Sequence, residues 1–261
     1  MLVVAVSGGA FAASPPSGTV LAVVQAAHID GATGKQVLEA QAPVFSGDRI
    51  DTDAAGQAQI IFRDKTKLVV GPNSSMVIDA FVFANDTSAR QVSLNAVKGA
   101  FRFITGVSPK DAYAITTPTA TIGVRGTEFD ISIEKEGTTR VANFEGTTRI
   151  CSRVNGVVNS ASCVEQKDAC SLSVIRPAEP GVTQYNNKDT EFRNRQLNYY
   201  FNYVRDQSGL LKDFQVDLKQ CKFAELIPPG NPPAPLGPPP PGSPPVPPGS
   251  PPAPRYDHTT D

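Results

Sequence analysis

No stretch of this chain has the roughly 18 consecutive apolar residues that a membrane-crossing helix requires, so the sequence offers no transmembrane anchor. A one-sided charge is also missing. The 24 basic and 25 acidic residues are interspersed, and the net charge is -1. A nucleic-acid surface needs a clustered basic stripe and a lipid-binding patch needs a polybasic run, so neither partner is expected. Histidine is scarce: there are only His28 and His258. His28 lies near Asp30, but no nucleophile motif accompanies the pair. Cys151, Cys163, Cys170 and Cys221 lack the paired C-x-x-C knuckles of a zinc site. Gly31-Ala32-Thr33-Gly34-Lys35 lacks the glycine gap and the following Ser or Thr of a phosphate loop, and a hairpin turn is the better account. Asp48, Asp51 and Asp53 do not fit a calcium-loop register and are expected as surface turn carboxylates. No catalytic, cofactor-binding or metal residue is assigned.

The N-terminus, MLVVAVSGGAFAA, is a short apolar run ending in Ala10-Phe11-Ala12. It resembles the end of a secretory signal peptide, although the usual basic start is missing. Residues 1–13 are therefore expected to be a signal peptide, and the protein to be periplasmic or extracellular. In that setting an even set of cysteines implies two disulfides. Four cysteines allow three pairings. Cys151–Cys163 with Cys170–Cys221 is preferred, since the first closes a loop around Asn155-Gly156 and the second ties down the C-terminal part.

From Thr19 onward, short alternating apolar segments recur between turn residues. Strands are expected at 37–44, 49–52, 58–62, 66–70, 75–83, 90–97 and 100–105. Further strands are expected at 138–144, 147–154 and 170–175, with turns at Lys98-Gly99 and Glu145-Gly146. Asn155-Gly156 is the strongest hairpin signal. No helical period intervenes, so the fold class is mainly β: many short strands in a sandwich or a stacked β-solenoid. Ile60, Phe62, Leu68, Val70, Val77, Leu94, Val97, Phe101, Phe103, Ile122, Val124, Phe129 and Ile131 are the expected core.

Thr116–Ile131 is expected to be two strands meeting at a glycine-marked bend. Phe129 and Ile131 alternate with Glu128 and Asp130, the period of a half-buried strand, which puts Glu128 and Asp130 outward. Pro118 has no ladder donor and belongs at a strand start or edge. Gly126 is expected where a Cβ would obstruct a bend. Arg125 either clamps Glu128, Asp130 or another carboxylate, or lies open to an acidic partner.

Beyond residue 176 the pattern changes. Residues 189–208 and 210–222 carry helix-period apolar positions, with an aromatic cluster at Tyr199, Tyr200, Phe201 and Tyr203. One or two helices packing on the β region are expected over 177–226. Residues 227–261 hold most of the 24 prolines and are expected to be a disordered, polyproline-type tail acting as a spacer. The β domain is placed at 19–176.

Within it, Gly47-Asp48 with Ile50, Ile60 and Phe62 with Asp64, Leu68 and Val70, Val97 and Gly99 resemble the FecR family. So do Thr117-Pro118, Val124-Arg125-Gly126-Thr127 with Phe129, and Glu145-Gly146. The likeness covers about residues 40–150, and Thr117, Pro118, Arg125, Gly126, Thr127 and Phe129 are its specific part. The resemblance implies an all-β periplasmic domain that takes part in signalling and has no catalytic residues. Regulatory members also carry an anti-sigma segment and a membrane helix, which this sequence lacks. The expected function is thus a stand-alone exported binding module, with a protein or glycan of the cell envelope as partner. The alternatives are a surface-display role using the tail as a spacer, or a carboxylate-based hydrolase.

Overall fold

The computed structural model describes residues 15–186 and 190–221. The signal-peptide run, the proline-rich tail and His258 lie outside the described residues. The strands are β1 Gly18–Val24, β2 Ala27–Gly31, β3 Gly34–Val37, β4 Pro43–Val44, β5 Arg49–Thr52, β6 Gln57–Phe62, β7 Lys67–Val70 and β8 Ser75–Phe83. They continue as β9 Ala89–Ile104, β10 Tyr113–Thr116, β11 Ala120–Ile133, β12 Thr139–Val154, β13 Val157–Val158, β14 Val164–Gln166, β15 Ser171–Ile175 and β16 Thr183–Tyr185.

Three of these strands are long because the turns expected at Gly99 and Gly146, like the bend expected at Gly126, lie inside continuous strands. Gly99, Gly126 and Gly146 take φ of +100°, +63° and +75° inside β9, β11 and β12. A left-handed residue in a strand bends it sharply, and only glycine does so without a Cβ penalty. Each long strand therefore crosses from one layer of the fold to the other. The second half of β9 pairs with β7 and with the second half of β11, and the first half of β12 pairs with β15. The first half of β9 pairs with β8 and, in parallel, with β10. β10 joins it to the first half of β11, which pairs with the second half of β12. β9 turns over beside Ile133 and β11 turns over beside Ile104, so the bends sit at opposite ends of the first layer.

The result is one sixteen-stranded sheet folded on itself. Among the pairings only β9–β10 is parallel, so the sandwich alternative holds and the stacked solenoid does not. Side chains of both layers meet in one core. Phe62 of the first layer stacks on Phe81 of the second, with ring centroids 4.6 Å apart, and Phe103 meets Tyr113 edge-on at 6.0 Å. The expected core residues are buried here except Val77 and Val97, which are half-buried. The β8–β9 ladder, with its bulges, turns Met76, Ile78 and Ala96 inward in their place. A one-residue register change swaps the faces of a strand.

The C-terminal part holds the one or two helices expected, with different bounds. α1 covers Thr190–Tyr200 and α2 only Asn202–Arg205, interrupted at Phe201, whose backbone is extended. Residues 210–222 form no α-helix among the described residues, only single 3₁₀ turns at Lys212–Phe214 and Lys219–Cys221. Gly209 and the Asp206 cap on Ser208 (2.8 Å) end the helical path. This segment lies across the outer face of the first layer. Leu197, Phe201 and Val204 pack on Ala142, Phe144 and Leu172, and Tyr203, Leu210 and Phe214 pack on Val69. Cys170–Cys221 ties its end down, and Cys151–Cys163 braces the Asn155-Gly156 hairpin. That hairpin has the two positive φ values, 52° and 79°, of a type I′ turn.

Candidate interaction surface

The centre of the outer face of the first layer is covered. One cross-strand row runs Gln59, Val69, Arg102, Asp130, Ala142, Leu172, Tyr185. Arg102 is fully buried and Asp130 is 2% exposed. Arg102 Nε and Nη2 donate to the two Asp130 oxygens at 2.7 and 2.9 Å. Its remaining nitrogen donates to Gln207 Oε1 in the covering segment, and its guanidinium lies 5.3 Å from the Tyr203 ring. Asp130 thus points away from the core but into a second buried layer, which corrects its reading as an outward residue. Glu128 does face outward and is half-buried. Burial, then the charge of Glu145, pushes its carboxyl above the ordinary range.

The signature residues divide between two places. Thr117, Pro118 and Thr119 form the turn between β10 and β11. Thr117 Oγ1 accepts from the Ala120 amide at 2.9 Å and lies 2.9 Å from Thr139 Oγ1. Pro118 is exposed at the tip of that turn. Thr127 and Phe129 are buried, Phe129 5.4 Å from Phe103. The Thr127 amide donates to Thr105 Oγ1 at 2.7 Å. The obstruction expected at Gly126 belongs to Gly146. A Cβ on Gly126 would meet nothing closer than the Lys110 stem at 3.8 Å, whereas one on Gly146 would fall on the Gly126 carbonyl oxygen. Gly126 is required for its positive φ alone. Arg125 is exposed and clamps neither Glu128 nor Asp130.

The acidic residues considered for metal binding do not converge. Asp48 is 5% exposed, not a surface carboxylate, and accepts the Phe45 amide at 2.7 Å, while burial pushes its carboxyl up. Among the described residues no group of His, Cys, Asp or Glu is placed to hold a metal. Asp64, one of the residues that carry the family resemblance, is fully buried. It accepts from Thr66, Ser108 and Tyr113 hydroxyls at 2.9, 2.7 and 2.7 Å, so its lone pairs are spent inside the fold. Its signal would be a carboxylate amid hydroxyl residues whose proximity only the fold creates. Gly31–Lys35 is the β2–β3 hairpin turn, as expected.

A cleft of about 450 Å³ opens beside α2, lined by Gln57, Pro72, Tyr203, Arg205 and Leu210. Arg205 donates to Asn202 within it at 2.8 Å. Burial raises the Tyr203 hydroxyl, which has no hydrogen-bond partner among the described residues. The aromatic cluster is split: Tyr199 is 55% exposed, whereas Phe201 and Tyr203 are buried.

What stays open is the outer face of the second layer. Its central row runs Val77, Asn95, Thr116, Thr121, beside Ala80, Ser93, Ala114, Gly123 and Arg149. These side chains are small or polar, and none is fully buried. Both satellite apolar clusters lie on the other layer.

These features define an all-β sandwich with one sealed and one open face. Residues 48–149 match the family model described as FecR protein, and the resemblance seen in the sequence holds over that stretch. Two crystal structures of a Parabacteroides distasonis protein provisionally described as an anti-sigma factor are similar. They are 12% and 13% identical, with TM-scores of 0.41 and 0.39, each over 56% of this chain. This chain spans 62% and 63% of those two chains. A cell surface anchoring domain is 25% identical over 24% of this chain and 83% of its own, with a TM-score of 0.23. No curated protein matches. No helix among the described residues is long and apolar enough to cross a membrane.

Proposed function

We propose that this protein is an exported FecR-like interaction module of the bacterial cell envelope, which senses or scaffolds by protein contact and performs no catalysis. The observation that carries the reading is the open outer face of the second layer. There, Asn95, Thr116, Thr121 and Ser93 present hydrogen-bonding groups on a rigid sheet. The buried charged groups elsewhere are held in internal pairs, as with Arg102–Asp130, or in internal hydrogen bonds, as with Asp64. Flat, half-exposed sheet faces of this kind suit recognition of another chain. The FecR match over residues 48–149 supports a regulatory class. Two disulfides joining all four cysteines support an oxidising compartment, since reducing compartments keep thiols free.

The test is a photo-crosslinker at Ala114, on the open face, with Tyr199 on α1 as the control position, in fractionated cells. The expected result is one discrete protein adduct from Ala114 in the envelope fraction and none from Tyr199. Cytoplasmic location with free thiols would remove the export reading. No adduct from any open-face position would remove the interaction reading.

A further inference from the structure

One end of the open face gathers three exposed cations, Lys110, Arg125 and Arg149. Arg125 on β11 and Arg149 on β12 are both exposed. Arg149 stands opposite Gly123, two residues from Arg125, and Arg125 stands opposite Thr147. The two arginines are therefore diagonal neighbours on one face, about 7–8 Å apart at the backbone. Gly123 places no side chain between them, and the Lys110 stem passes over Gly126 next door. Among the described residues none of the three makes an ion pair, whereas Arg63, Arg102, Arg140 and Arg176 all do. Glu165 on β14 stands directly opposite Arg149, and its carboxyl is held low first by Lys167, with smaller contributions from Arg125 and Arg149. Lys167 sits 2.7 Å from Glu165, so that acid is already engaged. Asp111, beside Lys110, is exposed and forms no ion pair.

Like charges packed on one sheet face repel, which disfavours the fold. Such an arrangement serves an anionic partner. Arginine forks match carboxylates two bonds at a time. From the basic end runs a floor of small residues, Gly123, Ala114, Ser93 and Ala80, one per strand. At about 4.8 Å per strand it is long enough for several residues of extended chain. We infer that Lys110, Arg125 and Arg149 receive an acidic, extended segment of a partner protein, which then lies along this floor. The inference rests on the open face being the partner face. A nucleic acid would need a longer basic stripe, and a bilayer would need a broader one.

The probe is a labelled peptide of alternating Asp and Thr, with the Asn–Thr peptide as control, titrated at low and at physiological salt. Binding of the Asp–Thr peptide alone is expected, weakening about tenfold over that salt range, as exposed charge contacts do. Arg125→Gln with Arg149→Gln should reduce its affinity about tenfold or more, while Arg63→Gln should not. An unchanged melting temperature verifies that both variants fold. Vesicles containing phosphatidylglycerol and a sulfated oligosaccharide form the competing arms, and binding of either in place of the peptide overturns the inference. If Ala114 still crosslinks its partner equally in the double arginine variant, the acidic reading falls while the module reading stands. If neither crosslink nor peptide binding occurs, both fall.

Discussion

The two outer faces of this molecule are made by the same long strands and treated in opposite ways. On the first layer, Val69, Arg102, Asp130, Ala142 and Leu172 are sealed beneath residues 190–221. On the second, Val77, Asn95, Thr116 and Thr121 remain half-exposed. The sealed face holds a charged pair and the open face holds mostly small neutral groups, the reverse of the simple rule that charge marks the wet side. A buried pair is tolerated because each member completes the other's hydrogen bonds. The cover also completes them, through Gln207 and the Tyr203 ring. Charge placement on the sealed face therefore fixes where one segment docks, and charge on the open face is free for a partner.

If that contrast is right, the largest stability effect comes from halving the sealed pair. Arg102→Ala leaves Asp130 buried without its partner, and should cost about 3–5 kcal/mol in urea unfolding. Arg102→Met combined with Asp130→Leu removes both charges and should stay within about 1 kcal/mol of the parent. Equal losses in the two variants would mean that shape, not charge compensation, is what the cover recognises.

Next in size is the tether of the cover. Cys170–Cys221 closes a sequence separation of 51 residues. Cys170→Ser with Cys221→Ser should cost about 4 kcal/mol and expose the Phe144 and Leu172 surface to a hydrophobic dye. The Cys151–Cys163 loop, with a separation of 12, should cost less on removal and should bind no dye. Dye binding by both variants would show that the cover depends on the whole fold and not on its own anchor.

The alternation of Phe129 and Ile131 against Glu128 and Asp130 was readable, and so was the core it implies. The fate of the opposite side was not. Period 2 tells which residues share a face, but not whether a segment 70 or so residues later covers it. Arg102 and Asp130 become a pair only through the β9–β11 register. Gly99, Gly126 and Gly146 were visible as breaks, and their sequence context is that of turns. A turn and a bend within a strand use the same glycine, and only the ladders on both sides distinguish them. The helix period in residues 210–221 is real as composition, but Phe214 and Cys221 are buried from an irregular path that Cys221 fixes, and Leu211 stays exposed. On the open face, Arg125 was recognised as the residue with a choice. Arg149 and Lys110 went unnoticed because their approach to it depends on strand pairing and a loop.

A smaller effect lies at the border between the faces. Glu128 is half-buried near Glu145, and its carboxyl titrates above the usual 4.5. The folded state then binds more protons than the unfolded one between 4.5 and the raised value, so stability falls as pH rises through that window. Glu128→Gln should match the parent below the window and exceed it above, as urea midpoints at acid and neutral pH would report. A variant less stable at neutral pH would make Glu128 part of an attractive network and move the border of the sealed face outward.

The smallest effect should come from the open face itself. Asn95 and Thr116 stand opposite each other there, and no hydrogen bond from either side chain is seen among the described residues, where their backbones alone serve the ladder. Asn95→Ala and Thr116→Ala should each change stability by less than about 0.5 kcal/mol, because no buried partner is left unsatisfied. The same substitutions should lower the crosslinking yield from Ala114 if that face meets a partner. Stability unchanged with yield reduced separates a recognition surface from a packing surface. A loss near that of Arg102→Ala would mean the second layer is covered too, and the contrast between the faces would then be gone.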